Sequence, residues 1–224
     1  ALLADAALRR ALDEDAAAWP RGWCAARLDR VLRDKAHAVP LFDFPYERRD
    51  VLYRYVNDAV LGGCAVDFLE FGVFRGESLA QWAAINTHPE SRFVGFDSFE
   101  GLPEDWLAER PRGSFSARGR LPRINDPRVC CVKGLFTDTL RPFLRTFRPR
   151  GRVVVHLDAD LYASTLFALM HLDAVLAPGT VLVFDEFAGE DEFPAFLDYT
   201  RANMRKWRFL AARKDFVKVA VELD

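Results

Sequence analysis

Two apolar runs in this chain end abruptly in acids. Val153 to Thr165 reads VVVHLDADLYAST and surfaces in His156, Asp158 and Asp160. Gly179 to Phe187 reads GTVLVFDEF and ends in Asp185 and Glu186. Gathered in one place, Asp158, Asp185 and Glu186 offer hard oxygen ligands suited to Mg²⁺ or a similar divalent cation. Without a cation such a group repels itself and takes up protons. A bound cation relieves that and acidifies a hydroxyl placed on it. Asp158 is a candidate base for such a hydroxyl. His156 shares its strand face and is the second candidate, although a histidine inside a strand more often packs and hydrogen-bonds. Asp160 reads as a helix cap or a loop-holding acceptor.

A third signal is EFGVFRGES, from Glu70 to Ser78. Gly72 and Gly76 let a ligand approach the backbone and leave amide donors free at a helix start. Glu70 is a buried acceptor without an evident structural partner. The spacing is not GxGxxG, because Phe74 and Arg75 stand where a pyrophosphate wants small residues. Asp97 closes a further apolar run, in FVGFDSFEGLP. An acid there accepts hydrogen bonds from a ribose diol, of a nicotinamide dinucleotide or of S-adenosylmethionine alike. The plain alternatives are a tight strand-to-helix turn at Gly72 and a turn-forming Asp97 followed by Ser98.

These residues need elements to position them. AVDFLEFGV, RFVGFD, RVCCVKG, RVVVHLD and TVLVFDE read as strands, separated by helical stretches, and WRFLAAR with FVKVAVEL reads as a terminal hairpin. Alternation of this kind implies right-handed crossovers and a parallel sheet covered on both faces, an α/β doubly wound, Rossmann-like fold. Ligands in such sheets bind beyond the carboxyl ends of the strands, which is where Asp97, Asp158, Asp185 and Glu186 lie. The stretch from Ser98 to Asp126 is expected to be a loop holding one or two short helices. Residues up to about Pro45 are helical in character, and Tyr46 to Leu61 is expected to be one amphipathic helix stopped by a Gly pair.

The chain has 224 residues, a net charge of -2, 50% hydrophobic and 29% charged residues. That is enough to bury a core and gives no field favouring nucleic acid or an anionic membrane. No apolar run is long enough to span a bilayer, and the acidic, amphipathic N-terminus does not read as a signal peptide. Cys24, Cys64, Cys130 and Cys131 form no CxxC pair and read as reduced core thiols of a cytoplasmic protein.

FLEFGVFRGES, GFDSFEGLPEDW, KGLFTDTL, HLDADLYAST and VFDEF occur in that order. With them the chain resembles the class I S-adenosylmethionine-dependent O-methyltransferases of the macrocin O-methyltransferase (TylF/MycF-like) family, from roughly Tyr46 to the C-terminus. The resemblance implies a seven-stranded sheet, six strands parallel and one antiparallel, with residues 1–45 as an N-terminal helical lid and 46–224 as the cofactor-binding domain. Glu70, Gly72, Gly76 and Ser78 would hold the methionine end of the cofactor, and Asp97 with Ser98 the ribose. Lys133 and Gly134 would lie against the adenine, with Ser114 and Ser116 as contributors. Asp158, Asp185 and Glu186 match the family's metal positions, although the family usually has two Asp where this chain has DE. Metal-assisted methylation of a sugar or natural-product hydroxyl follows from the resemblance, in an enzyme that forms homo-oligomers. An NAD-dependent oxidoreductase or epimerase, or a catalytically silent binding domain of the same fold, are the rival readings.

Overall fold

The computed structural model describes residues 19–36 and 38–224. The chain divides into two units, residues 1–37 and 38–224. Of the first, the described part is helix α1, Trp19–Lys35, in which Asp29 and Arg33 pair at 2.7 Å one turn apart. The expected helical stretch before Trp19 lies outside the described residues. The second unit takes in residues 38–45, which the sequence reading assigned to the lid.

That unit alternates strands and helices: β1 (Leu41–Phe42), α2 (Asp50–Tyr55), β2 (Val66–Phe71), α3 (Glu77–Ile85), β3 (Arg92–Asp97), β4 (Val129–Lys133), α4 (Phe136–Thr146), β5 (Arg152–Leu157), α5 (Tyr162–Leu172), β6 (Val181–Phe184), α6 (Glu192–Ala202), β7 (Trp207–Arg213) and β8 (Val219–Leu223). The strands form one eight-stranded sheet in the order β1-β7-β8-β6-β5-β2-β3-β4. β8 runs antiparallel to both its neighbours, and the other pairings are parallel. The expected strands are all present. The eighth is β1, two residues pairing with Ala212 and Arg213 of β7, too short to announce itself in sequence. Every residue of β2 and β6 is buried, as strands covered on both faces must be.

Tyr53, Phe68 and Trp82 anchor the core beside β2. Tyr53 stacks on Trp82 with centroids 4.9 Å apart, and Phe68 packs on Trp82 at the same distance. The expected single helix from Tyr46 to Leu61 is shorter: α2 passes into a π-helical turn over Val56–Val60, and Gly62 and Gly63 then take positive φ. Residues 98–126 contain turns and a bridge between Leu107 and Arg110, but no helix. Leu102 and Gly113 fold this segment back on itself, through Leu102 N–H to Ser114 O and Gly113 N–H to Leu102 O, both 2.9 Å. Cys64 and Cys130 are exposed, not core thiols, because Cys64 follows the Gly62–Gly63 turn and Cys130 sits on edge strand β4. Among the described residues no helix is long and apolar enough to cross a membrane.

The chain builds β2, β3 and β4 outward, then returns to lay β5 and β6 on the other side of β2. This reversal between β2 and β5 opens a crevice at their carboxyl ends.

Candidate active site

Register brings the strand ends level. Phe71 pairs with Leu157, and Leu157 with Phe184, so the residues that follow, Gly72, Asp158 and Asp185, emerge side by side. Asp158 N–H donates to Phe71 O at 2.9 Å and Asp185 N–H to Leu157 O at 3.0 Å. Gly72 has φ +92°, and a Cβ there would lie 1.8 Å from the Asp158 carbonyl oxygen. Only glycine fits that contact.

Above these ends lies a cavity of about 850 Å³. Its floor holds Asp158, Asp160, Asp185 and Glu186; one wall is the Gly72–Phe74 turn with Asp97 and Ser98, and Gly134–Phe136 extend it. Trp106 and Phe115 from the 98–126 segment close the outer side. Trp106 Nε1–H donates to Asp191 Oδ2 at 2.8 Å, which ties that segment to the start of α6.

The acids differ sharply in their partners. Asp185, almost fully buried, meets Arg49 Nη1 at 3.2 Å and Lys218 Nζ at 2.7 Å, and also accepts from the Tyr46 hydroxyl at 3.1 Å. Burial pushes its carboxyl up, but Lys218 and Arg49 outweigh that and hold it below the ordinary range. Asp158 shares Arg49, at 3.0 Å, yet burial and then Asp185 push it up to about 7. Asp160 sits at φ +60° and is pushed up to about 8, by burial first and then by Asp158, Glu186 and Asp185. Glu186 accepts from the Tyr46 hydroxyl and is also raised, mainly by burial. Asp160 does not cap α5: the Tyr162 amide there donates to Asp191 Oδ1 at 3.0 Å.

Several expected site residues stand elsewhere. His156 is fully buried, with Nε2 3.1 Å from the Tyr53 hydroxyl and its ring edge-on to that phenol. It cannot reach a substrate in the cavity, so the second candidate base is withdrawn. Glu70 lies beneath the floor, pairing with the Ser78 hydroxyl through Oε1, while Oε2 is buried without a partner. Gly76 underlies the 98–126 segment, where a Cβ would come within 2.6 Å of Pro122. Lys133 is held by Glu100 and by the Gly119 carbonyl at 2.8 Å. Glu70, Gly76, Ser78 and Lys133 therefore do not line the cavity, and neither do Ser114 and Ser116. Asp97 does, while its Oδ2 accepts from the amides of Val73 and Phe74, both 2.8 Å, and its Oδ1 from Phe99 at 2.5 Å.

The expected metal set is also rearranged. Ligand atoms of His156, Asp158 and Asp185 lie within 4.8 Å of one another, and Glu186 is not among them. Asp185 and Glu186 both meet the Tyr46 hydroxyl, but only Asp185 also reaches Arg49 beside Asp158. Oxygen donors of this kind suit a hard cation, but Arg49 Nη1 already stands between Asp158 and Asp185. Asp185 spends its other oxygen on Lys218 and Tyr46. A dication added here would face two fixed cations, and the residues do not fit it.

Tyr46, Arg49 and Lys218 are what the sequence reading missed. Tyr46 and Arg49 sit in PYERRD and read as the polar start of an amphipathic helix. Lys218 did leave a trace: a lone lysine inside FVKVAVEL, 1% exposed in the structure.

The family described as "Methyltransferase domain" matches residues 69–187, a span holding Gly72, Asp97, Asp158, Asp185 and Glu186. The chain belongs to this family. The chain is 33% identical over 178 residues to the 8-demethyl-8-(2,3-dimethoxy-alpha-L-rhamnosyl)-tetracenomycin-C 4'-O-methyltransferase of Streptomyces olivaceus. That match covers 68% of this chain and 65% of the relative, so the chain spans just under two thirds of the relative's length. Among solved structures it resembles CalS11, a calicheamicin methyltransferase, at 21% identity and a TM-score of 0.59, over 90% of this chain and 91% of that one. It also resembles the Bacillus cereus O-methyltransferase in complex with SAH, at 18% identity and a TM-score of 0.54, over 88% and 90%. Likeness at these identities shows the methyltransferase fold.

Proposed function

We propose that the chain is an S-adenosylmethionine-dependent O-methyltransferase acting on a hydroxyl of a saccharide or a glycosylated natural product. One observation carries this reading. Gly72 packs directly on the Asp158 carbonyl, so the turn suited to a nucleoside cofactor and the acid suited to a base share one spot on the cavity wall. The family match favours a sulfonium donor over nicotinamide, and the Streptomyces olivaceus relative, named for methylating a rhamnosyl group, supports a sugar acceptor. Membership of the narrower macrocin-type family remains part of the proposal.

When bound, the cofactor supplies an electrophilic methyl on sulfur. The chain's residues have two tasks: to hold an acceptor oxygen in line and to receive its proton. Asp158, poised near 7 at the cavity floor, receives that proton as the oxygen takes the methyl. Asp97 still has acceptor capacity on Oδ1 for ribose hydroxyls, since each carboxylate oxygen accepts more than one bond. Asp160 and Glu186, raised mainly by burial, would regain their charge beside a positive sulfonium. Trp106, Phe115 and Phe74 exclude water and offer apolar faces to the ring of a sugar. The metal-assisted form expected from sequence is not carried into this proposal, because Arg49 stands where the ion would.

The test is incubation with methyl-labelled S-adenosylmethionine and a panel of glycosides, with calorimetry against S-adenosylmethionine and NAD. Label in a sugar ether supports the reading. Binding of NAD alone, or no binding of the sulfonium, overturns it.

A further inference from the structure

We propose that Arg49 takes the place of a divalent ion in this chain, bridging Asp158 and Asp185 and making the site independent of metal. The inference rests on the proposed methyl transfer only where it speaks of turnover. Its geometric ground is separate. A single nitrogen, Nη1, lies 3.0 Å from Asp158 Oδ2 and 3.2 Å from Asp185 Oδ1, the bridging arrangement an ion would adopt between these carboxylates. Lys218, 1% exposed, holds the other oxygen of Asp185 at 2.7 Å. Two carboxylates are thus matched by two built-in cations.

Arg49 is held by its two carboxylate partners. It takes helical dihedrals at the start of α2, and Tyr53, one turn on, shares its helix face. Tyr53 is itself locked between Trp82 and His156. Burial works against the guanidinium charge, but Asp185 and Asp158 outweigh it and keep Arg49 protonated. A guanidinium does not give up its proton and is weakly hydrated, which makes it the side chain best able to replace an ion among buried acids. Its planar fork also fixes direction. Arg49 is then a positioning residue, setting where the Asp158 carboxylate points, while a metal-using relative would set this by coordination.

Mn²⁺ is the probe, read by its electron paramagnetic resonance signal and, separately, by methyl transfer in chelator. The wild-type chain should bind no Mn²⁺ at this site and keep its full rate in chelator. Arg49→Ala, with both acids left facing each other, should acquire one Mn²⁺ and lose on the order of 100-fold in kcat, as expected when a reacting group is mispositioned; added Mn²⁺ should return part of that rate. Arg49→Lys, which retains a cation, should still exclude Mn²⁺ and rescue much of the rate. Stoichiometric Mn²⁺ on the wild-type chain that disappears in Asp185→Asn would overturn the proposal, as would a wild-type rate abolished by chelator and restored by metal. If Arg49→Ala does not fold, the wild-type Mn²⁺ measurement still decides. If no acceptor is methylated at all, the proposed function fails while the resonance signal continues to test Arg49.

Discussion

The two edges of the sheet treat their acids in opposite ways. At the amino end of the parallel strands, Asp67 is buried and accepts from Arg92 Nε at 2.6 Å and from the amides of Arg150 and Gly151 at 2.5 and 2.8 Å. Glu222, opposite Val181 at the start of β6, is clasped by Arg152 and Arg208. At the carboxyl end Lys218 and Arg49 hold Asp185 low, but Asp160 is pushed up to about 8, Asp158 to about 7, and buried Glu192 is raised with Oε1 unpartnered. Acids of the first kind hold a fold together. Acids of the second kind weaken it, and persist where charge is needed for binding or chemistry. The contrast locates the site without reference to any relative.

The largest effect expected to separate the edges is on rate. Asp158→Asn should lower kcat by about 10²–10⁴-fold, the usual contribution of a general base, while calorimetry finds the affinity for S-adenosylmethionine nearly unchanged. An equal loss of cofactor affinity would move Asp158 out of the base role. At the other edge, Asp67→Ala should cost about 1–3 kcal/mol of stability in urea, because it removes the acceptor of the Arg150 and Gly151 amides. The rate per folded molecule should not change. If that variant were stable but slow, the division of labour between the edges would be wrong.

The carboxyl-end acids were largely visible in the sequence, because apolar runs that end in Asp97, Asp158 and Asp185 mark strand ends without any alignment. Their neutralising partners were not. Tyr46 lies 139 positions from Asp185, and Arg49 lies 109 from Asp158; only folding brings them together, and periodicity says nothing about which strand end a helix start will meet. Lys218 shows the same limit, since alternation alone cannot tell an inward lysine from an outward one when both faces of a strand are covered. The expected short helices in the 98–126 segment fail for a local reason. Pro103, Pro111 and Pro122 interrupt it, and Gly101, Gly113 and Gly119 take positive φ, so the chain turns back repeatedly instead of coiling.

A pH series sharpens the same comparison. Asp158 must lose its proton to act, so kcat/KM should rise about tenfold per unit as pH climbs toward 7 and level off above it. Stability should run the other way. The folded state holds protons on Asp158 and Asp160 more tightly than the unfolded chain does, so their contribution is present at low pH and lost as pH rises through about 7 to 8. Asp126, at the amino edge, is lowered by its bond to Arg128, and its contribution is present above the ordinary Asp range and lost as pH falls through it. Thermal unfolding across pH 5 to 9 should therefore show activity gained as stability declines. Parallel rise of both would mean that Asp158 is ionised throughout.

The smallest expected effect concerns the wall between solvent and the acidic floor. Trp106 joins the 98–126 segment to Asp191 by one hydrogen bond, and Asp191 in turn caps α5. Trp106→Phe keeps an aromatic face but removes the donor, at a cost of about 1 kcal/mol. The loss should appear as a severalfold rise in KM for the acceptor, with kcat and cofactor affinity little changed, because the bond aligns the outer wall and not the reacting oxygen. Asp191→Asn has one acceptor oxygen where Trp106 and the Tyr162 amide now use two, so it should cost one of these bonds and match Trp106→Phe in size. A drop in kcat for Trp106→Phe would instead place this segment in the chemistry, and the contrast between a working floor and a merely enclosing wall would have to be redrawn.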